Sequence, residues 1–70
     1  MHRVPVSSSN VISIGYDSST STLEVEFHGG RVYQYHAVPE SVYHNLMSAA
    51  SIGSYINHHI KNTYAWTRVS

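Results

Sequence analysis

The clearest secondary-structure pattern in the chain lies at residues 22–37, Thr22-Leu23-Glu24-Val25-Glu26-Phe27-His28-Gly29-Gly30-Arg31-Val32-Tyr33-Gln34-Tyr35-His36-Ala37. Its first part, 22–28, alternates apolar and polar side chains, as a half-buried β-strand does. The Gly29-Gly30 pair is a hairpin signal, and residues 31–37 are rich in β-forming types. We therefore expect a β-hairpin at the centre of the chain.

The length of the hairpin loop decides which face carries the two tyrosines. A two-residue loop would pair Glu26 with Tyr33, so that Tyr33 and Tyr35 would lie beside the glutamates. A three-residue loop with a bulge would pair Val25 with Tyr33 and place both tyrosines on the apolar face. A slip of one residue turns every side chain to the other face, and burial of apolar side chains usually sets the pairing. The buried register is therefore favoured over the other.

The segments before the hairpin predict one further strand. Residues 11–17 alternate, with Ile12, Ile14 and Tyr16 on one face, and residues 17–21 form a polar turn. Residues 1–10 are interpreted as an irregular lead-in, with a short edge strand at 4–6 as an option because Pro5 is tolerated only at an edge.

The segments after the hairpin predict two helices. Pro39 at the first helical position and Glu40 in the first turn mark the first start. The second helix places an apolar stripe on one side: Ile52, Tyr55, Ile56, His59, Ile60, Thr63 and Tyr64. Residues 65–70 are expected to be a tail in which Trp66 is docked. The predicted fold is a single α+β domain, 1–70, with a three-stranded antiparallel β-meander followed by two α-helices packed on one face.

Composition narrows the function classes. The 70 residues include four Lys plus Arg, four Asp plus Glu, no Cys and a formal net charge of zero. Such a balance argues against a charge-driven disordered tail and against a strongly basic duplex-DNA binder. A core this small supplies only ~3–5 kcal/mol and has no disulfide, so a homo-oligomer, dimer or tetramer, is expected. No apolar run suggests a membrane span or a signal peptide, which makes the cytoplasm the expected location.

The order of these signals resembles the KTSC domain family, a small module also found at the end of some lysyl-tRNA synthetases. The resemblance covers about residues 6–68. It is carried by Ser8-Ser9, Ile14-Gly15-Tyr16-Asp17, Leu23-x-Val25-x-Phe27, Gly30, Tyr33-x-Tyr35, Val38-Pro39, Val42-Tyr43, Ala50-Ser51-x-Gly53-x-Tyr55, Asn57, Ile60-Lys61 and Tyr64. The resemblance implies RNA binding. However, family members often carry Lys on both sides of Gly53, where this chain has Ile52 and Ser54, so two expected phosphate partners are absent.

Two constellations are candidate ligand sites. A glycine-containing turn that opens a helix presents free amides to an anion, and it comprises Ser51, Gly53, Ser54, Tyr55 and Asn57, with Lys61 farther along. Simple capping of the helix is the competing interpretation. Tyr33 and Tyr35, two apart in a strand, could stack bases, or they could both be core or interface residues.

Neither a metal site nor a catalytic site is predicted, and no cofactor is expected. The six histidines show no i, i+4 pair of the kind that holds zinc. Glu24 and Glu26 share a strand face, which is interpreted as solvated. No nucleophile motif is present, and we expect that the chain is not an enzyme.

Three function classes remain. The first is a binding module for a nucleotide-type phosphodiester ligand, with a site completed at an oligomer interface, which could sequester a cyclic dinucleotide signal. The second is RNA binding, in which an oligomer would align Arg3, Arg31, Lys61 and Arg68. The third is protein–protein interaction, which high tyrosine content and an uncovered sheet face also fit.

Overall fold

An antiparallel β-sheet with helices on one face forms the protein, whose computed structural model describes residues 1–70. The sheet order is β1-β2-β3-β4-β5, so each strand pairs with its neighbour in sequence. The strands are β1 (Arg3–Pro5), β2 (Val11–Asp17), β3 (Thr22–Phe27), β4 (Val32–Tyr35) and β5 (Trp66–Arg68). The helices are α1 (Glu40–Met47) and α2 (Ile52–Tyr55), and α2 continues directly into a π-helical turn, Ile56–Ile60. The α+β class is confirmed.

The central hairpin adopts the buried register. Val25 pairs with Tyr33 and Leu23 with Tyr35, so the tyrosines share the apolar face. The N–H of Phe27 donates to the carbonyl of Arg31 at 2.8 Å, which closes a three-residue loop. Gly29 and Gly30 in that loop have φ of 93° and 83°, values at which a Cβ would be strained. The glycine pair therefore favours the three-residue loop, and that loop places Tyr33 and Tyr35 on the apolar face of the sheet.

A β-bulge in β2 interrupts the alternation of faces that the sequence predicts for this strand. Val11 pairs with Phe27 while Ser13 pairs with Glu26, which leaves Ile12 as the extra residue. Val11 and Ile14 are both buried in the core, and Ile12 is exposed. The expectation that Ile12 shares a face with Ile14 was wrong, because one inserted residue reverses the period-two pattern.

The sheet has five strands rather than the three expected. The lead-in contributes β1, and the tail contributes β5, which pairs with β4 through Tyr35 and Trp66. Both are three residues long, too short to show a period, and hydrogen bonds to an existing sheet edge define them. β1 also needs Gly15 opposite Arg3, because a Cβ on Gly15 would lie 2.7 Å from the carbonyl oxygen of His2.

The core lies between the sheet and the helices. Leu46 of α1 and Ile56 and Ile60 of the π-helical turn are buried against sheet residues such as Ile14 and Leu23. The first helix begins at Glu40, with Pro39 as its N-cap residue rather than its first helical one.

The second helix is shorter than its apolar stripe suggested. The N–H of Lys61 donates to Ile56 at 2.8 Å, the wide spacing of a π-turn, and the helix ends there. His59 and Thr63, predicted on the buried stripe, are therefore exposed. No helix is long and apolar enough to cross a membrane.

Candidate functional site: two adjoining clefts

A polar cleft opens where the loop before β2 faces the start of α2. Its volume is about 360 Å³, and we call it the serine cleft. It is lined by Ser7, Ser8, Ser9, Asn10, Ala49, Ala50, Ser51, Ile52, Gly53, Ser54 and Asn57. The lining contains hydroxyl and amide groups and no charged side chain. Such a surface suits hydrogen bonding to the uncharged edges of a ligand.

The start of α2 within this cleft is capped by the chain itself. The Oγ of Ser51 accepts a hydrogen bond from the N–H of Ser54 at 3.3 Å, so Ser51 caps this helix. Gly53 has an ordinary φ, and a Cβ there would meet only the Oγ of Ser8, at 3.9 Å. Alanine would therefore fit, and glycine is not required by the fold at this position. Its missing side chain leaves the helix backbone accessible from the cleft.

A second cleft, the basic cleft, lies beside the first. Its volume is about 180 Å³, and Asn10 and Asn57 line both clefts. The remaining lining residues come from the sheet and the helix: Phe27, Arg31, Tyr33, Tyr35, Ile56 and Lys61. Two cations thus share a small cleft with aromatic rings. The two asparagines join the clefts into one groove.

Aromatic rings extend from the basic cleft toward β5. Phe27 and Tyr33 meet edge to face with ring centroids 5.7 Å apart, and Tyr33 contacts Trp66 at 5.1 Å. The guanidinium of Arg31 lies over Phe27, 5.7 Å from the ring centroid. Trp66 contacts Tyr33 but remains 53% exposed, so its expected docking is only partial. Its ring is the one most available for stacking a base.

Tyr35 belongs to the core rather than to this aromatic surface. It is only 3% exposed, and burial, followed by the neighbouring Tyr33, raises the pKa of its hydroxyl. Of the two interpretations of Tyr33 and Tyr35, the paired stacking platform is therefore not formed, because the buried register makes Tyr35 a core residue. Tyr33 is half-buried between Phe27 and Trp66.

The charges of this neutral chain are segregated. None of the four Asp and Glu side chains lines either cleft. Asp17 ends β2 at the turn opposite the Arg31 loop, and Glu40 follows β4 near the same end, where Val38 bonds to Ser21.

The two strand glutamates lie on the outer sheet face. Glu24 is buried rather than solvated, which corrects the expectation for this face. It accepts hydrogen bonds from Arg3 and, at 2.8 Å, from Gln34. Burial opposes its ionisation, but the bonds from Gln34 and Arg3 and the Arg3 charge hold its pKa below the usual value. Glu26 accepts from Ser13 and lies 3.7 Å from Arg3. Arg3 is thus occupied here, and the basic cleft keeps Arg31 and Lys61.

The structure brings most predicted site residues into the groove. Ser51, Gly53, Ser54 and Asn57 line the serine cleft, and Tyr33, Tyr35, Asn57 and Lys61 line the basic cleft. Tyr55 lines neither cleft. It packs on the core and contacts His59 at a centroid distance of 4.7 Å.

Asn10, Phe27 and Arg31 are among the groove residues that lie outside the two predicted ligand sites, and Arg31 was named only as one of the cations that an oligomer would align for RNA. Arg31 follows the glycine loop, and the three-residue loop geometry could have placed it beside Phe27. No local sequence signal marks Asn10, whose position depends on the packing of the loop against α2.

Comparisons with known proteins agree on one family. The family model described as KTSC domain matches residues 7–64. An uncharacterized protein of Stutzerimonas stutzeri is 46% identical over 57 residues, covering 81% of this chain and 80% of that protein. A lysine–tRNA ligase of Nostoc punctiforme is 40% identical over 55 residues, 79% of this chain but 10% of the ligase. The crystal structure of a KTSC domain protein from Yersinia pestis superposes with a TM-score of 0.93 at 41% identity, covering 99% of this chain and 97% of that one. This chain belongs to the KTSC domain family.

Proposed function

We propose that this chain is a non-enzymatic binding module for a nucleotide-type phosphodiester ligand, held in the groove formed by the two clefts. One observation carries the proposal: Arg31 and Lys61 line the same aromatic cleft while every Asp and Glu side chain lies elsewhere. A phosphate attracts such a cation pair, and arginine offers it a planar set of donors. The carboxylates that could act as an acid–base pair face away from the groove, which supports a binding role.

The two clefts divide the recognition of such a ligand. The rings of Phe27, Tyr33 and Trp66 offer stacking surface for a base, as aromatic residues do in single-strand binders. The amides of Asn10 and Asn57 can donate to and accept from base edges. The serine cleft alone falls within the volume range of small-molecule sites, about 300–1,000 Å³. The groove therefore suits one or two nucleotides.

Within this class we favour a compact dinucleotide, and sequestration of a cyclic dinucleotide as the biological role. A cyclic dinucleotide places two bases and two phosphates close together, which matches adjoining clefts of which one carries two cations. A homo-oligomer that presents two such grooves would increase capture further.

RNA binding is the second candidate, favoured by the relatives. Three of them are named lysine–tRNA ligase, and this chain matches a tenth of each. An RNA strand would use the same cleft and would also contact Arg68 of β5, which lies opposite Tyr33 of β4.

Binding titrations followed by Trp66 fluorescence test the proposal. The probes are a cyclic dinucleotide, a linear dinucleotide and a short single-stranded RNA. Loss of a charge-assisted hydrogen bond is worth about 1.5–3 kcal/mol, so Lys61→Gln and Arg31→Gln should each weaken binding about 10-fold or more. Ser18→Asp is the matched control, because it makes the same change in net charge at the opposite end of the sheet.

The outcomes separate the candidates. A small nucleotide should bind with weak salt dependence, whereas an RNA that contacts three cations should show a log–log salt slope of about −2. No binding of any probe would contradict both candidates. An equal loss of affinity in Ser18→Asp and Lys61→Gln would show that the probes do not bind in the groove.

A further inference from the structure

The two edge strands of the sheet differ in how open they are to another strand. β1 and β5 are the outer members of the sheet order. Val6 donates to the carbonyl of Ile12, so by the alternation of an antiparallel ladder Arg3 and Pro5 direct their main-chain groups outward. Pro5 has no N–H to offer, and proline is a usual protection of an edge. The β1 edge is therefore closed to regular pairing.

The β5 edge has no such protection. Val69 donates to Val32 and His36 donates to Ala65, which marks these as the bonded pairs between β4 and β5. The same alternation makes Trp66 and Arg68 non-bonded toward β4. Their N–H and C=O groups point away from the sheet. A row of unpaired donors and acceptors with this spacing is a template for another strand.

We propose that a second copy of this chain pairs antiparallel along β5, about a two-fold axis through Thr67. In this register Trp66 forms bonded pairs with the partner's Arg68, and Arg68 with the partner's Trp66, so all the free main-chain groups of both residues are used. Thr67 then lies opposite the partner's Thr67 in a non-bonded pair.

The side chains favour this self-pairing over parallel pairing and over an axis through Arg68. Residues directly opposite share a face, so each Trp66 ring, which is 53% exposed, meets the partner's Arg68 guanidinium. Threonine opposite threonine on the other face is a favourable cross-strand pair. Parallel pairing, or an axis through Arg68, would instead place like charges side by side. The strand is thus complementary to itself, which favours a second copy over an unrelated peptide.

The pairing would also change the groove. Trp66 contacts Tyr33, whose ring lines the basic cleft, so the partner's Arg68 would bring an additional cation beside the aromatic surface. The dimer is argued from the edge strand alone and does not rest on the proposed function.

Cysteine cross-linking tests the axis. The chain contains no cysteine, so a single introduced thiol reports without background. In a non-bonded antiparallel pair the Cα atoms lie about 4.5 Å apart, a distance that a disulfide accepts. Thr67→Cys should therefore give a disulfide-linked species of about 15.6 kDa, twice the 7.8 kDa of the chain.

Val69→Cys is the matched control, on the same face of the same strand. Two copies of residue 69 would be separated by four residue positions, about 13 Å, and should not cross-link. Equal cross-linking of the two variants would indicate random collision and overturn the proposal.

Light scattering on the unmodified chain provides the second measurement. We expect a concentration-dependent dimer that Arg68→Lys retains and Arg68→Pro loses. Arg68→Pro removes only an outward N–H, so its thermal unfolding should still be cooperative. A wild-type chain that stays monomeric at high concentration, or that protects its β5 amides only when an extended peptide is added, would refute self-pairing.

Discussion

Gly15→Ala is the sharpest test of how the amino-terminal strand is attached. The new Cβ would lie 2.7 Å from the carbonyl oxygen of His2 and 3.0 Å from the Cγ of Arg3. Ordinary contacts begin at 3.4 Å, and the nearest obstacle is main chain rather than a flexible side-chain end. β1 must therefore move by several tenths of an ångström from β2. Because Arg3 lies on β1, its bonds to Glu24 and Ser13 would weaken with that movement.

The expected loss of stability follows from two opposing effects. Overpacking of this kind costs about 1–3 kcal/mol. Replacing glycine by alanine also reduces the conformational entropy of the unfolded chain, which stabilises the folded state by about 0.4–1 kcal/mol. The free energy of unfolding should fall by about 1–2 kcal/mol, a large share of the ~3–5 kcal/mol expected for a core of this size. The unfolding temperature should drop by about 4–8 °C per kcal/mol.

Urea and thermal unfolding of matched glycine variants measure this effect. Gly53→Ala is the control, since a Cβ there meets nothing closer than 3.9 Å inside a helix, and it should stabilise the chain by up to about 1 kcal/mol. A double-mutant cycle with Arg3→Gln adds a second readout. Arg3→Gln should cost less stability in the Gly15→Ala chain than in the wild type, because the Arg3 contacts are already weakened there. A Gly15→Ala chain as stable as the wild type would refute the docking of β1 on Gly15.

Three further predictions concern pH, backbone strain and the groove. The lowered pKa of Glu24 contributes stability that is present above the unfolded-state pKa near 4.5 and is lost as pH falls through the folded-state pKa. Glu24→Gln should therefore reduce the loss of unfolding free energy at acid pH, and an unchanged acid loss would contradict the Arg3 and Gln34 contacts. Ala37 is exposed with φ of 57°, so Ala37→Gly should stabilise the chain by about 1 kcal/mol in urea unfolding, whereas Ala50→Gly, at an ordinary φ, should not; equal effects would argue against strain at Ala37. Gly53→Ala should raise stability yet weaken binding of the dinucleotide probe about threefold or more (roughly 0.7 kcal/mol), and unchanged affinity would show that the ligand does not approach that helix turn.

The sequence predicted the parts of the fold whose pattern is local. The β3–β4 hairpin alternates over a full strand length and carries its own glycine turn, so both its position and its buried register could be inferred. The bulge at Ile12 could not, because an inserted residue leaves the composition of the strand unchanged while it reverses the faces. β1 was predicted only as an optional edge strand at 4–6 and β5 was not predicted, because three residues show no period and the sheet edge beside them decides their conformation.

The groove was partly predictable for a related reason. Serine and glycine are favoured at helix starts, so Ser51, Gly53 and Ser54 could be recognised locally, and the helix start that they form lines the serine cleft. Arg31 joins Lys61 only after the hairpin loop and the π-helical turn are both in place. Tyr35 was an equally good candidate from its spacing, and the three-residue loop buried it. Which aromatic residues face solvent was thus decided by register.

A nuclear magnetic resonance titration of the isotopically labelled chain with a cyclic dinucleotide tests the proposed binding groove directly. We expect the largest shifts at the amides of Asn10, Arg31 and Asn57 and at the indole of Trp66, with the β2–β3 turn unaffected. Shifts confined to the outer sheet face around Glu24, or no shift at millimolar ligand, would contradict a binding groove between the serine loop, α2 and the hairpin.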